Sequence, residues 1–101
     1  MTNLAPAPAV EPDPFDPQQA YHLDPAVAIR PEPFGALAYH YGNRRLTFLR
    51  SPDLVALVQD LGNHRSADEA LAASPIDPSR WPSFRKALAS LTNAEVLRAH
   101  R

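Results

Sequence analysis

Residues 35–49 read GALAYHYGNRRLTFL, and side-chain type alternates along most of the run. In an extended chain Leu37, Tyr39 and Tyr41 fall on one face, and Ala36, Ala38 and His40 on the other. Gly42 and Asn43 both tolerate positive φ, so the spacing predicts a two-residue hairpin loop there. That loop pairs Tyr41 with Arg44, Tyr39 with Leu46 and Leu37 with Phe48. The larger apolar side chains of both strands then share one face. Ala38, His40, Arg45 and Thr47 take the other, so the register is internally consistent. The hairpin is predicted as strands near 35–41 and 44–49.

Upstream, Val27–Arg30 is short, β-branched and bounded by Pro25 and Pro31, which predicts a strand near 26–30, and PEPFG at 31–35 reads as a turn. Downstream the period changes to helical. Ser51–Pro52 supplies an N-cap and a first-turn proline. Leu54, Val55, Leu57, Val58 and Leu61 form a helical stripe that Gly62 ends, giving a helix near 52–61. Ser66–Ala67–Asp68–Glu69 is a capping box opening a helix near 67–73. Pro82 must lie in the first turn of a third helix near 80–92, on which Trp81, Phe84, Leu88 and Leu91 share a face. The order predicts an α+β fold: a three-stranded antiparallel sheet followed by a three-helix bundle, arranged like a winged helix.

The chain has 101 residues, enough for one domain, and eight of its twelve prolines fall in the first 33 positions. Residues 1–18 are rich in proline and acid, which predicts a disordered arm before a folded domain over 19–101. Residues 1–29 hold four acids and no Lys or Arg; residues 30–101 hold ten Lys or Arg against seven acids, a net of +3. The folded part is mildly basic, which suits an acidic partner without demanding nucleic acid.

Cysteine is absent, which excludes a disulfide framework, a Cys-ligated metal and a thiol nucleophile. No apolar run approaches a membrane span and no signal sequence is evident, so a cytoplasmic location is expected. His22, His40, His64 and His100 show no metal-ligand spacing. There is no phosphate loop, dinucleotide fingerprint or nucleophile elbow, so catalysis is not expected.

Binding features are better developed. Arg44, Arg45 and Arg50 bracket a strand that sequence order puts at a sheet edge. Such an edge offers backbone groups to an extended peptide, and its arginines suit incoming carboxylates. The same arginines also suit an edge guarded against aggregation, and both readings stand. The Trp81–Phe84–Leu88 stripe reads as core or as groove, and Arg80, Arg85 and Lys86 as a solvated face or a contact surface.

FDPQQAYHLDPAVAIRPEPFGALAYHYGNRRLTFLRSPDLVALVQDL, residues 15–61, resembles the small peptide chaperones of mycofactocin biosynthesis. VAIRPEPFGALAYHYGNRRLTFL is the most specific part. WPSFRKALASL, residues 81–91, continues the likeness more weakly, and the whole covers roughly residues 15–98. These chaperones belong to the PqqD-like peptide recognition elements. The resemblance implies a three-stranded sheet with three helices, no catalytic activity and no cofactor of its own. It implies binding of the leader of a short, acid-rich precursor peptide. It also implies presentation of that peptide to a radical S-adenosylmethionine maturase, which holds the iron–sulfur clusters. In related elements the leader adds as a strand to the third strand and lies against the third helix. Carried onto this sequence, the first wall is Arg44, Arg45, Leu46, Thr47, Phe48 and Leu49, with backbone bonds from Arg45 to Phe48. The second is Trp81, Phe84, Arg85 and Leu88.

Two other functions fit the same layout: a winged-helix DNA-binding protein and a generic assembly domain. DNA binding would be steeply salt-dependent, whereas strand addition would not.

Overall fold

In the computed structural model, which describes residues 15–99, the chain builds two antiparallel sheets around three helices. The larger sheet has strands β2 (Val27–Glu32), β3 (Gly35–His40) and β4 (Leu46–Leu49) in that order. Helices α1 (Pro52–Asp60), α2 (Ala67–Ala73) and α3 (Trp81–Asn93) follow, with 3-10 turns at Leu61–Asn63 and Pro78–Arg80. The smaller sheet pairs β1 (Tyr21–Leu23) with β5 (Leu97–Ala99), Tyr21 opposite Ala99. The fold is α+β, with the three-stranded sheet and three helices expected. β1 and β5 are additions, each too short to display a period.

Tyr39 lies opposite Leu46 and Leu37 opposite Phe48, the register read from the alternation. The turn differs. β3 stops at His40 and β4 starts at Leu46, so Arg44 and Arg45 belong to the turn and not to a strand. The positive φ falls on Arg44, at 64°, and not on Gly42. Side chains hold this wider turn. The Gly42 and Asn43 amides donate to His40 Nδ1 at 2.9 and 3.1 Å, and the Arg45 amide donates to Asn43 Oδ1 at 2.8 Å.

Alternation predicts two faces, and the structure buries the face of small side chains. Ala36, Ala38, His40 and Leu49 are buried toward the helices. Alanine lets α1 approach the sheet closely. Leu37 and Tyr39 are half-buried, and Leu46 and Phe48 are exposed on the opposite face. β2 runs through Pro31 to Glu32, because an edge strand tolerates a missing amide donor. Gly35 has φ +149°, and a Cβ there would lie 2.1 Å from the Leu49 carbonyl oxygen, so the close approach of β3 to the end of β4 requires glycine.

The helices start as the caps predict. Ser51 Oγ accepts from the Leu54 amide, and Ser66 Oγ from the Glu69 amide, both at 3.0 Å. Glu69 Oε1 reaches back to the Arg65 amide at 2.6 Å, one residue before the cap. Gly62 does not end α1 outright; a 3-10 turn carries the chain to Asn63. The core is Leu49 with Leu54, Leu57, Val58, Leu61, Leu71, Phe84, Leu88, Leu91, Val96 and Leu97.

Residues 15–18, expected to belong to a disordered arm, are held against the fold. Phe15 stacks on Tyr21 at 5.1 Å, and the carbonyls of Pro17 and Gln19 each accept at 3.0 Å, from the Asp68 and Ala67 amides. Those are first-turn donors of α2 that the helix itself leaves unpaired. The rest of the expected arm, residues 1–14, lies outside the described residues.

Candidate functional site

β4 closes one side of its sheet, and among the described residues no strand pairs with its outer edge. Antiparallel partners alternate between bonded and non-bonded pairs. The His40 amide donates to the Arg45 carbonyl at 2.9 Å, which makes that a bonded pair. The alternation then turns the backbone of Thr47 and Leu49 toward β3, and that of Leu46 and Phe48 outward. The free donors and acceptors therefore sit on Leu46 and Phe48. Those of Arg45 are taken by Asn43 and His40.

Beside this edge a groove separates the end of β4 from α3. It encloses about 160 Å³ and is lined by Arg50, Ser51, Leu54, Ser83, Phe84 and Ala87. Leu54 comes from the first turn of α1, where the Ser51 cap fixes it. Ser83, Phe84 and Ala87 lie on successive positions of one face of α3.

The expected α3 wall is thus only partly present. Phe84 lines the groove, with the Arg80 guanidinium 5.1 Å from its ring centre. Leu88 is fully buried and belongs to the core. Trp81 donates its indole N–H to the Ile76 carbonyl at 3.1 Å. Arg85 forms a two-pronged pair with Asp68 of α2, at 2.8 and 3.3 Å, and does not line the groove. Ser83 and Ala87 were missed, being small and unremarkable in sequence; their i, i+4 spacing around Phe84 was the available signal. Leu49 and Thr47 point inward, Leu49 fully buried.

Charge around the groove is uneven. Arg44, Arg45 and Arg50 have no carboxylate partner among the described residues, whereas Arg80 meets Asp53 at 3.2 Å. Arg50 lies 5.2 Å over the Phe48 ring, at the junction of edge and groove. Free guanidinium groups of this kind favour carboxylate-bearing ligands.

Two His–carboxylate clusters lie off the groove, Asp24 with His40 and Arg98, and His64 with Asp60 and Glu69. Asp24 Oδ2 lies 3.2 Å from Arg98 Nε and 3.6 Å from His40 Nε2. A His–Asp pair suggests a general base, but both turn amides occupy His40 Nδ1, so it has no atom free for a substrate proton. Asp60 is held below its ordinary carboxylate range by hydrogen bonds from Asn63 and His64, and Asp77 by hydrogen bonds from Ser79. Both lie at helix ends away from the groove. Among the described residues no cluster of three or more His, Cys, Asp or Glu is placed to hold a metal, and no helix is long and apolar enough to cross a membrane.

The family model for the peptide chaperone MftB family matches residues 20–98. The chain is 39% identical over 98 residues to a peptide chaperone MftB from Mycobacterium ulcerans (strain Agy99), covering 96% of this chain and 90% of that protein. It is 40% identical over 83 residues to the one from Mycolicibacterium smegmatis, covering 82% and 81%. Against the one from Mycobacterium tuberculosis the figures are 38% over 99 residues, 96% and 91%. No solved structure matches. The match runs from before β1 to within β5 and so takes in the free edge, the groove and the turn that joins them: the chain belongs to the peptide chaperone MftB family.

Proposed function

We propose that this protein carries the leader of an acid-rich precursor peptide as an added strand on β4 and hands it to a radical S-adenosylmethionine maturase in mycofactocin biosynthesis. The observation that carries this reading is the outward backbone of Leu46 and Phe48 beside the groove floored by Leu54 and Phe84. Backbone bonds would supply affinity with little demand on sequence, and the groove would select apolar side chains and fix register. Arg44, Arg45 and Arg50 would draw in the acidic chain and orient it. The protein works without catalysis or a cofactor of its own, in the cytoplasm. DNA binding is disfavoured because Arg80 and Arg85 are engaged by Asp53 and Asp68, which leaves Lys86 as the unpaired cation on that side of α3.

Calorimetric titration with the precursor, beside an unrelated acidic peptide, tests the reading. Tight one-to-one binding of the precursor alone is expected. Phe48→Pro removes an outward donor but no bond of the sheet's own ladder, and Phe48→Ala controls for the lost ring. The proline variant should lose about tenfold or more in affinity, and the alanine variant several-fold less. Equal binding of both peptides, or equal affinity of both variants, would overturn strand addition on β4.

A further inference from the structure

The face of the sheet turned away from the helices is apolar and open. Tyr41 is 67% exposed, Leu46 56%, Phe48 48% and Phe34 43%. These side chains form one patch. Leu46 lies opposite Tyr39 and Phe48 opposite Leu37. The Phe34 and Phe48 rings are 5.8 Å apart, and Tyr39 and Tyr41 meet edge to face at 4.9 Å. Four large side chains, each about half exposed, amount to roughly 400 Å² of apolar surface, a size that on single proteins is often functional.

The rim carries one ion pair and one unpaired cation, Arg50. Arg30 lies opposite Leu37 on this face, and Arg50 covers the Phe48 ring. Glu32 is the one carboxylate carried by the three strands, and it is paired with Arg30 at 2.8 Å. Exposed aromatics with arginine and no lysine are the make-up of protein-binding patches. A second copy of this chain is a poor occupant. A twofold contact would bring in a second unpaired Arg50 and no carboxylate beyond the Glu32 that Arg30 already holds. A different protein, with an apolar protrusion ringed by carboxylates, satisfies both the patch and its rim.

We propose that this outward face, built on Phe34, Leu37, Tyr39 and Phe48 and rimmed by Arg30 and Arg50, docks the folded enzyme that receives the peptide. The inference rests on the peptide-carrier reading above. β4 belongs to both surfaces, the edge taking the peptide and the face taking the enzyme. An enzyme on the face would therefore meet the peptide about one strand spacing, ~5 Å, from its own surface.

The test uses the full chain, the precursor peptide and the radical S-adenosylmethionine maturase as two separate probes. Phe34→Asp and Arg30→Glu lie off the peptide edge. Each should lower maturase affinity by about tenfold or more while precursor affinity stays within about twofold. Unchanged maturase affinity in both variants overturns the docking face. So does a parallel loss of precursor affinity, which would make edge and face one site. A wild-type dimer that Phe34→Asp dissociates in sedimentation would make a second copy the occupant and overturn it too. A gain of about tenfold in maturase affinity on deleting residues 1–14 would make the chain's own arm the resident and overturn it as well. Failure of the wild type to bind the precursor removes the carrier reading, and this inference with it; intact precursor binding with variants that dock normally removes this inference alone.

Discussion

Asn43 hydrogen-bonds in two directions at once. Its Oδ1 accepts from the Arg45 amide inside the turn, and its Nδ2 donates to the Glu95 carboxylate at 3.0 Å and the Ala94 carbonyl at 3.4 Å. It thereby ties the β3–β4 turn to the C-terminal end of α3. Glu95 sits at φ 66°, a costly conformation for a residue with a Cβ, and the bond from Asn43 helps hold it. Asn43→Ala should destabilise by about 1–2 kcal/mol in urea unfolding. It should also weaken precursor binding, whereas the exposed Lys86→Ala, far from the tie, should do neither. Gly35→Ala is the severer change. It would drive a methyl group into the Leu49 carbonyl at a φ alanine avoids, so a loss above about 3 kcal/mol is expected by the same measurement. At this scale the sequence was half legible. Asn43 reads as a turn residue, but nothing local announces a bond to residues more than fifty positions away.

Elements carry their own signals, and the helices were the most legible part because serine caps and prolines are local chemistry. The β3–β4 register was legible too, since pairing followed from alternation. The turn was not: an Asn next to Gly suggests a two-residue loop, but His40 Nδ1 and Asn43 Oδ1 take the Gly42, Asn43 and Arg45 amides beside the backbone bonds and hold a wider turn. Nor was the covered face, because large apolar side chains on a sheet fit a core or a docking surface equally well. The caps give a direct test. Ser66→Ala should cost about 1 kcal/mol and leave α1 and the groove intact, read as a shift in urea midpoint with precursor affinity unchanged. Helix ends also set the acid response. Asp60 and Asp77 titrate below their ordinary 3.8 in the folded chain, so the unfolded chain binds more protons in that range. Their contribution is complete above that value and is lost as pH falls through the lower folded values. Unfolding midpoints from pH 5 to pH 2.5 should fall less steeply in Asp60→Asn with Asp77→Asn than in the wild type.

For the whole molecule, the distribution of charge separates the possible functions more sharply than its total. The folded part is only mildly positive, and of the four described arginines without a carboxylate partner, Arg44, Arg45 and Arg50 lie at the end of β4 and its turn, with Arg65 elsewhere. Peptide capture through backbone bonds and an apolar groove should lose less than about tenfold in affinity between 50 and 200 mM salt, where a DNA-binding protein with many phosphate contacts loses about a thousandfold or more. A calorimetric series at several salt concentrations measures this. The class of fold was legible from element order alone, while the site was legible only as two regions, β4 and α3. Which of their residues face each other depends on packing: Leu88 went to the core and Arg85 to α2, and Ser83 and Ala87 took the places beside Phe84.

The pairing of β1 with β5 also sets a clock. Tyr21 is among the first described residues to leave the ribosome, yet its strand partner, Ala99, is among the last. Until residues 96–99 emerge, the early strand has no mate, and Asp24 lacks both the Val96 carbonyl and the Arg98 side chain. Such a long-range closure is a slow, late step for a nascent chain. A chain cut before residue 97 would leave β1 without its partner strand, however complete the helices between them.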